Sequence, residues 1–332
     1  MALILRILLS LTLLVMSIWG ALALHYQEPL EPIWTRALIA LWSILSLLSL
    51  FSLWRKRYLI NFGYFLLMFC MLLLWWSSIK PTHEKDWADD VMHMASGEVK
   101  GNLVTVHNVR NFKWRAEDAY IPKWETRTYD LTKIQSIDLF TSHWGIEAIA
   151  HVLVTFGFSD GQFITFTVEI RKTKGQSFDS LAGFFKAYEL SIIATDERDA
   201  VGVRPNVRGE DTYLYRLNMP KETMRQLFTA YIKKANDLVE QPQFYHTITA
   251  NCTTIVFDMM EHISGKMPFD YRVLATGYLP EYVQDLNGFY AKDVPLEELT
   301  QKGLINTRSK AAMNLNTYSQ DIRRDVPGWQ TP

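Results

Sequence analysis

Cys252 lies in the stretch TANCTTIVF, residues 249–257, and is the only cysteine outside an apolar run; the other, Cys70, lies inside one. A cysteine thiolate is an effective nucleophile, and the positive end of a helix stabilises the thiolate form. Asn251 is a favourable N-cap residue, and apolar residues follow it at helical spacing. The pattern predicts a helix with Cys252 at its first position, where the thiol could attack a carbonyl carbon.

A base for this thiol is found in the hairpin predicted for residues 150–172, AHVLVTFGFSDGQFITFTVEIRK. Apolar residues occupy even-numbered positions in both halves, and Ser-Asp-Gly at 159–161 is a turn signal. Facing residues must share one side of the sheet, so paired numbers must add to an even value. A turn centred on Asp160 pairs His151 with Glu169. The imidazole could then take the thiol proton, and the carboxylate could orient the imidazole.

Each of these residues also has an ordinary structural interpretation. A single cysteine often serves as a small buried apolar residue, and a His–Glu pair can be a simple cross-strand hydrogen bond. The catalytic interpretation is favoured because the thiol, the helix start and the oriented histidine occur in one domain. His143, in SHWGIE, is a second candidate for the base, since HWG resembles the histidine motif of lecithin retinol acyltransferases.

Three apolar runs precede these residues, at about 3–24, 33–54 and 58–79. Each reaches the ~20 residues that a helix needs to cross a bilayer. The loop between the second and third runs carries Arg55, Lys56 and Arg57, and positively charged loops stay in the cytoplasm. The sequence therefore predicts a cytoplasmic N-terminus, with everything after about residue 80 on the other side. The first run could instead be a cleaved signal peptide, which would leave that orientation unchanged.

The predicted organisation has four parts and an α+β soluble region. Residues rich in aromatic and β-branched types predict strands up to about residue 172, and helices are predicted over 177–190 and 221–239. The four parts are a membrane region (1–80), a juxtamembrane linker (81–102), a thiol-enzyme domain (103–265) and a C-terminal extension of short elements (266–332).

Composition narrows the range of partners. The chain has 332 residues with a formal net charge of −1, and charges of both signs are interspersed, so nucleic acid is not an expected partner. The sequence has no phosphate-binding loop and no His/Cys cluster with metal-ligand spacing, so neither a cofactor nor a metal is predicted. Arg171, Arg198 and Arg204 could bind a lipid phosphate, although arginines in charged loops are more often simply solvated.

Five segments of the soluble region resemble a known family. They are, in order, AHVLVTFGFSDGQFITFTVEIRK, FFKAYEL, TDERDAVGVRPNVRGED, YLYRL and FYHTITANCTTIV. Over about residues 105–265 they resemble the bacterial family of the N-terminal periplasmic domain of the Lnb-type lipoprotein N-acyltransferase. The resemblance implies a papain-like, circularly permuted thiol-enzyme fold, in which the histidine strand precedes the cysteine helix. It gives His151 and Cys252 the catalytic positions.

These observations lead to one hypothesis and two alternatives. The hypothesis is a thiol acyl-transfer enzyme of the bacterial inner membrane with a periplasmic domain, the bilayer as partner, and a phospholipid or lipoprotein as substrate. Asn251 would support the oxyanion together with the backbone N–H of Cys252. The alternatives are a cysteine hydrolase of envelope peptides or amides and a non-catalytic module of an envelope complex. In the acyltransferase that names the family, the soluble domain precedes the membrane helices, whereas here it follows them.

Overall fold

The structure is a computed structural model that describes residues 1–265 and 267–329. Its residues divide into two compact units. The first contains residues 1–83 and 179–188, and the second contains the rest of the chain from Glu84 onwards. Lys266 and residues 330–332, which belong to the predicted C-terminal extension, lie outside the described residues.

The first unit contains three long apolar helices, each long and apolar enough to cross a membrane. Their bounds agree with the predicted runs to within a few residues. Gly20 allows the helices to approach closely, since a Cβ there would overlap the Trp42 ring. The Trp42 indole N–H donates to the Ser17 carbonyl at 2.9 Å. The helices are α1 (Ala2–Gln27), α2 (Pro32–Ser52) and α3 (Tyr58–Ser78).

Residues 179–188 complete this first unit. The Phe185 ring stacks on Tyr26 of α1 with centroids 5.4 Å apart. Lys186 Nζ donates to the Trp76 carbonyl of α3 at 2.8 Å. The apolar and basic side chains of this short segment are therefore used in contacts with the two apolar helices.

The helix predicted over residues 177–190 is wrong. Only Ala182–Phe184 forms a single 3-10 turn, and a strand begins at Glu189. The aromatic spacing that resembles one face of a helix arises because Phe185 packs into the aromatic cluster of the first unit. The residues after Tyr188 instead enter a fully buried strand.

The second unit is built on an eight-stranded sheet. Its strands are β1 (Ser96–Lys100), β2 (Leu103–Arg110), β5 (Trp124–Asp130), β6 (Ile134–His143), β7 (Ala150–Phe158), β8 (Phe163–Arg171), β9 (Glu189–Thr195) and β10 (Asp211–Arg216), and a separate hairpin joins β3 (Lys113–Ala116) to β4 (Ala119–Ile121). The strand order is β1-β2-β9-β8-β7-β6-β10, with β5 beside β2. Adjacent strands are antiparallel, except that β2 and β9 are parallel. A mixed α+β region therefore follows the three apolar helices, as predicted.

The hairpin of β7 and β8 has the predicted register. Leu153 faces Thr167 and Thr155 faces Thr165, as a turn centred on Asp160 requires. The even-numbered apolar face packs against helix α5 (Lys221–Glu240), where the Phe228 ring contacts both strands. The odd-numbered face, with more polar residues, therefore lies on the other side of the sheet.

The last described part of the predicted C-terminal extension, from Ile305 onwards, packs against that odd-numbered face, whereas Val273, Leu279 and Leu299 lie in a second cluster with the even-numbered Val152. Ile305 and Ile322 form a buried cluster with Phe140 of β6 and Leu153 of β7. The short helices are α4 (Glu197–Ala200), α6 (Thr254–Ser264), α7 (Leu279–Asp285), α8 (Leu296–Gly303), α9 (Asn306–Ala312) and α10 (Tyr318–Asp321). At the other end, β1 lies within the predicted linker of residues 81–102 but pairs with β2, so part of that stretch belongs to the sheet.

The charged loop around residues 196–199 is held by buried ion pairs. Arg323 is fully buried and lies 2.8 Å from Asp138 and 2.6 Å from Glu197. Asp199 is also fully buried and pairs with Arg110 at 3.0 Å. The ERD sequence at 197–199 therefore stabilises the fold, and it ties β2, β6 and the C-terminal residues to one loop.

Candidate active site

Cys252 lies in the turn that leads into α6, two residues before the first residue of the helix, Thr254. The helix therefore begins two residues later than the prediction that placed Cys252 first. Asn251 nevertheless acts as the predicted cap: its Oδ1 accepts the backbone N–H groups of Thr253 and Thr254 at 2.9 Å each, and its carbonyl accepts the Ile255 N–H at 3.2 Å. This cap closes a turn before regular helix begins, and it leaves the thiol at the positive end of α6.

His151 and Glu169 meet across β7 and β8, as the hairpin register predicts. His151 Nε2 lies 3.0 Å from Glu169 Oε1. Thr167 completes the contact: its hydroxyl lies 2.6 Å from His151 Nε2 and donates to Glu169 Oε1 at 2.9 Å. Sequence analysis missed Thr167, although its position two residues before Glu169 in the same strand places it on the same face.

The structure brings Cys252 and His151 together from segments that are far apart in the chain. The imidazole and the thiol are close enough for each to shift the pKa of the other. Since Nε2 faces Glu169, Nδ1 is the ring nitrogen left for the sulfur. The backbone N–H of Val152 also lowers the pKa of the thiol. The ladder between β7 and β8 ends at Leu153, next to Val152, and the thiol meets the strand at this point.

The surroundings shift the pKa values of both groups. Burial raises the pKa of the Cys252 thiol. His151 and the Val152 N–H lower the pKa by more than burial raises it, so the pKa lies below its ordinary value. Burial lowers the pKa of His151, but the Glu169 carboxylate and the thiol outweigh burial, so it lies above its ordinary value. Both directions favour a thiolate–imidazolium pair.

The sequence around this centre matches one family model. Residues 120–277 match the Lnb N-terminal periplasmic domain. The chain carries a domain of this family. The matched region of the Lnb domain includes Cys252, His151 and Glu169 together with β5 to β10, α5 and α6. No curated protein and no solved structure matches the chain.

The three arginines considered for a lipid headgroup have different settings in the Lnb domain. Arg171 is buried, and its guanidinium donates to the backbone carbonyls of Val91 and Met92. Arg204 is also buried and pairs with carboxylates beside His151. Neither Arg171 nor Arg204 has a guanidinium exposed for a lipid headgroup, because both guanidinium groups are buried and contact other groups of the domain. Arg198, in α4, is partly exposed.

His143 does not lie with the catalytic pair. Ser142 faces His151 in the register between β6 and β7, and side chains alternate along a strand, so His143 projects from the opposite face. There its ring meets the edge of Tyr213 at 5.4 Å, and burial lowers its pKa. The order of residues in the sequence did not reveal this difference of face.

The Asn251 side chain supports the turn rather than the oxyanion. Its Oδ1 caps two backbone N–H groups, and its Nδ2 donates to the Thr247 carbonyl at 2.7 Å. The residue is also almost fully buried. Because Asn251 Nδ2 already donates to a carbonyl, it is not free to bind the oxyanion. Of the two groups predicted to stabilise the oxyanion, the Cys252 backbone N–H remains the candidate.

Exposed apolar side chains lie on the three segments that meet at the start of β7. The loop before His151, the loop before Cys252 and the segment after α6 each contribute, and Thr276 joins the last to the first through two hydrogen bonds with the Ala150 backbone. We call these side chains the apolar rim; they are Trp144, Ile146, Ile149, Ile248, Phe269 and Tyr271, all between 37% and 67% exposed.

Proposed function

We propose that this protein is a membrane-anchored thiol acyl-transfer enzyme with its Lnb domain outside the cytoplasm. The observation that carries the proposal is the chain of contacts from the Cys252 thiol to His151 and from His151 to Glu169. A thiol, its base and an orienting carboxylate in this order form the arrangement that activates a nucleophile. The histidine strand precedes the cysteine helix, and we extend the proposal to a circularly permuted papain-like fold.

In the first step, the Cys252 thiolate attacks the carbonyl carbon of an ester or amide. The negative charge that develops on the carbonyl oxygen is stabilised by the Cys252 backbone N–H at the start of α6, and one such donor typically contributes ~3 kcal/mol. The His151 imidazolium gives its proton to the departing alcohol or amine. The C–S bond formed and the C–O or C–N bond broken leave an acyl thioester on Cys252.

In the second step, an acceptor amine attacks the thioester carbonyl. Neutral His151 takes the amine proton through Nδ1, and the C–S bond breaks to release Cys252 as a thiolate. Glu169 stabilises the imidazolium before the first step and after the second, because its Oε1 lies 3.0 Å from Nε2. The centre thus returns to its starting charge state without any group outside these three residues.

A lipid acyl donor is supported by the apolar rim. Its six exposed apolar side chains lie on the loops that precede His151 and Cys252 and on the segment after α6, and exposed apolar side chains favour an acyl chain over a polar peptide. Three helices fit a bilayer anchor, which supplies such donors locally. We therefore propose a phospholipid ester as donor and the N-terminal amine of a lipoprotein as acceptor.

We also propose the bacterial inner membrane as the location, with the N-terminus in the cytoplasm. The support is the Arg55–Arg57 cluster between α2 and α3, which charge asymmetry assigns to the cytoplasmic side. An extracytoplasmic Lnb domain agrees with the periplasmic description of the family.

The proposal is tested with the full-length protein in vesicles of phosphatidylethanolamine and phosphatidylglycerol that contain a diacylated lipopeptide. Mass spectrometry should detect the N-acylated lipopeptide and a lysophospholipid in equal amounts, and neither in Cys252→Ser. Arg324→Gln, a change of an exposed side chain, is the matched control and should keep full turnover.

The rival functions give different results in the same experiment. Free fatty acid with lysophospholipid, and no acylated peptide, would show that water is the acceptor and that the protein is a hydrolase. If no lipid changes and no acyl thioester forms on Cys252, the acyl-transfer proposal is wrong, and a non-catalytic module of the envelope is the better description. Lipid and lipoprotein analysis of a deletion strain extends the test to the cell.

A further inference from the structure

We infer that Arg204 is a positioning residue of this centre: its buried guanidinium holds the Glu169 carboxylate against His151, and Glu210 in turn holds Arg204. This inference rests on the proposed function, since it concerns the same thiol and imidazole. Sequence analysis treated Arg204 only as a candidate for headgroup binding. Its contacts give it another task.

The geometry places Arg204 between two carboxylates. Nη2 lies 3.6 Å from Glu169 Oε1, and Nη1 lies 2.9 Å from Glu210 Oε2. Glu169 Oε1 is the same oxygen that meets His151 Nε2 at 3.0 Å. The guanidinium therefore lies next to the carboxylate oxygen that orients the imidazole. Only 6% of the Arg204 side chain is exposed.

The local backbone and its anchors keep Arg204 in this place. Residues Arg204–Arg208 form a short π-helical turn, and Gly209 ends the turn at φ 68°. Such turns are rare in proteins, and those that occur are often found at functional sites. Glu210 accepts the Ser142 hydroxyl at 2.5 Å. Ser142 of β6 faces His151 of β7 in the sheet register. The strand next to the one that carries the base thus holds the anchor of Arg204.

A positive charge in this position affects every ionisable group of the centre in one direction. The Arg204 guanidinium favours the ionised carboxylate of Glu169 and disfavours the imidazolium of His151. It therefore keeps Glu169 charged at low pH, and it also limits the pH range in which His151 stays protonated. Removal of the charge should move both transitions to higher pH.

Other charged groups also face the centre and stay unchanged in the variants below. Arg110 of β2 and Arg208 of the π-helical turn act on Glu169, and Tyr231 of α5 faces the Cys252 thiol. Around these arginines lie three further carboxylates, Asp90, Glu117 and Asp199. Because this background is constant, a shift between variants reports the charge that was changed.

The test uses two substitutions that break the same ion pair from opposite sides. Alkylation of Cys252 by iodoacetamide is followed against pH in the full-length, detergent-solubilised protein carrying Cys70→Ser. Arg204→Gln should move the labelling profile to higher pH, with about tenfold slower labelling at pH 6. Glu210→Gln should move it to lower pH, because the charge of Arg204 is then no longer balanced. Arg204→Lys should restore most of the original profile.

A purely structural ion pair would behave differently. It would lower the melting temperature in both variants and leave the two profiles unshifted, or shift them in the same direction; either result overturns the inference. Failure of the proposed function is seen separately, because it would make the parent protein itself unreactive at pH 6. If Arg204→Gln does not fold, the opposite shift expected for Glu210→Gln still decides the question.

Discussion

The His151 imidazole and the Glu169 carboxylate lie 3.0 Å apart across two neighbouring strands, and the Thr167 hydroxyl contacts both groups. The contact depends on the register of the hairpin, because a shift by one residue would turn Glu169 to the other face of the sheet. The same contact leaves the second ring nitrogen for Cys252.

Cys252 should react at a pH where ordinary thiols do not. A thiol with the free pKa of about 8.5 is only roughly 0.3% ionised at pH 6, whereas the pKa of Cys252 is lowered. In Cys70→Ser protein we expect iodoacetamide to label Cys252 at least about tenfold faster than a free thiol at pH 6. His151→Ala removes the largest of the contacts that lower the thiol pKa and leaves burial, which raises it, so low-pH labelling should disappear. Slow labelling at pH 6 with either residue at 151 would contradict the catalytic pair.

Glu169→Gln should narrow the reactive pH range from its alkaline side. Because Glu169 raises the pKa of His151, its loss lets the imidazolium deprotonate at lower pH. Acyl-transfer rate against pH is the measurement, and its alkaline fall should begin earlier in the variant. Glu222→Gln, which changes an exposed glutamate of α5, is the control and should leave the profile in place. An unchanged profile for Glu169→Gln would remove the carboxylate from the mechanism.

Asn251 should be needed both for stability and for the thiol's position. Asn251→Ala removes a cap of two backbone N–H groups, and such caps contribute about 1–2 kcal/mol. We expect a lower melting temperature and slower labelling of Cys252. Asn251→Asp keeps the cap oxygen but adds a negative charge beside the thiolate. This variant should recover most of the stability and still label slowly at pH 6. Equal melting temperatures of Asn251→Ala and Asn251→Asp would contradict the capping role.

Arg323→Met should destabilise the second unit. It leaves the buried Glu197 carboxylate without Arg323 and leaves Asp138 with Arg216, and breaking such a pair costs about 3–5 kcal/mol. The loss arises because a buried carboxylate without its charge partner is much less stable than the same carboxylate in water. Denaturant unfolding of the full chain is the measurement. Arg324→Met, at an exposed neighbour, should change little.

The sequence by itself determined the features that depend on local pattern. The lengths of the three apolar helices follow from the thickness of a bilayer, and the amphipathic helix α5 follows from spacing along one face. The β7–β8 register, and with it the pairing of His151 and Glu169, follows from strict alternation around one turn. These patterns repeat over a few residues, so neighbours in the chain are enough to define them.

Only the tertiary structure decided which distant residues share the site. Cys252 meets His151, and Arg204 meets Glu169, through contacts between segments that no local period relates. His143 differs from His151 by the face of the sheet on which it lies, and Phe185 is buried by helices from the start of the chain rather than by a helix of its own. Long-range packing decides such contacts, because a side chain's burial and charge partners come from whichever elements the fold places beside it.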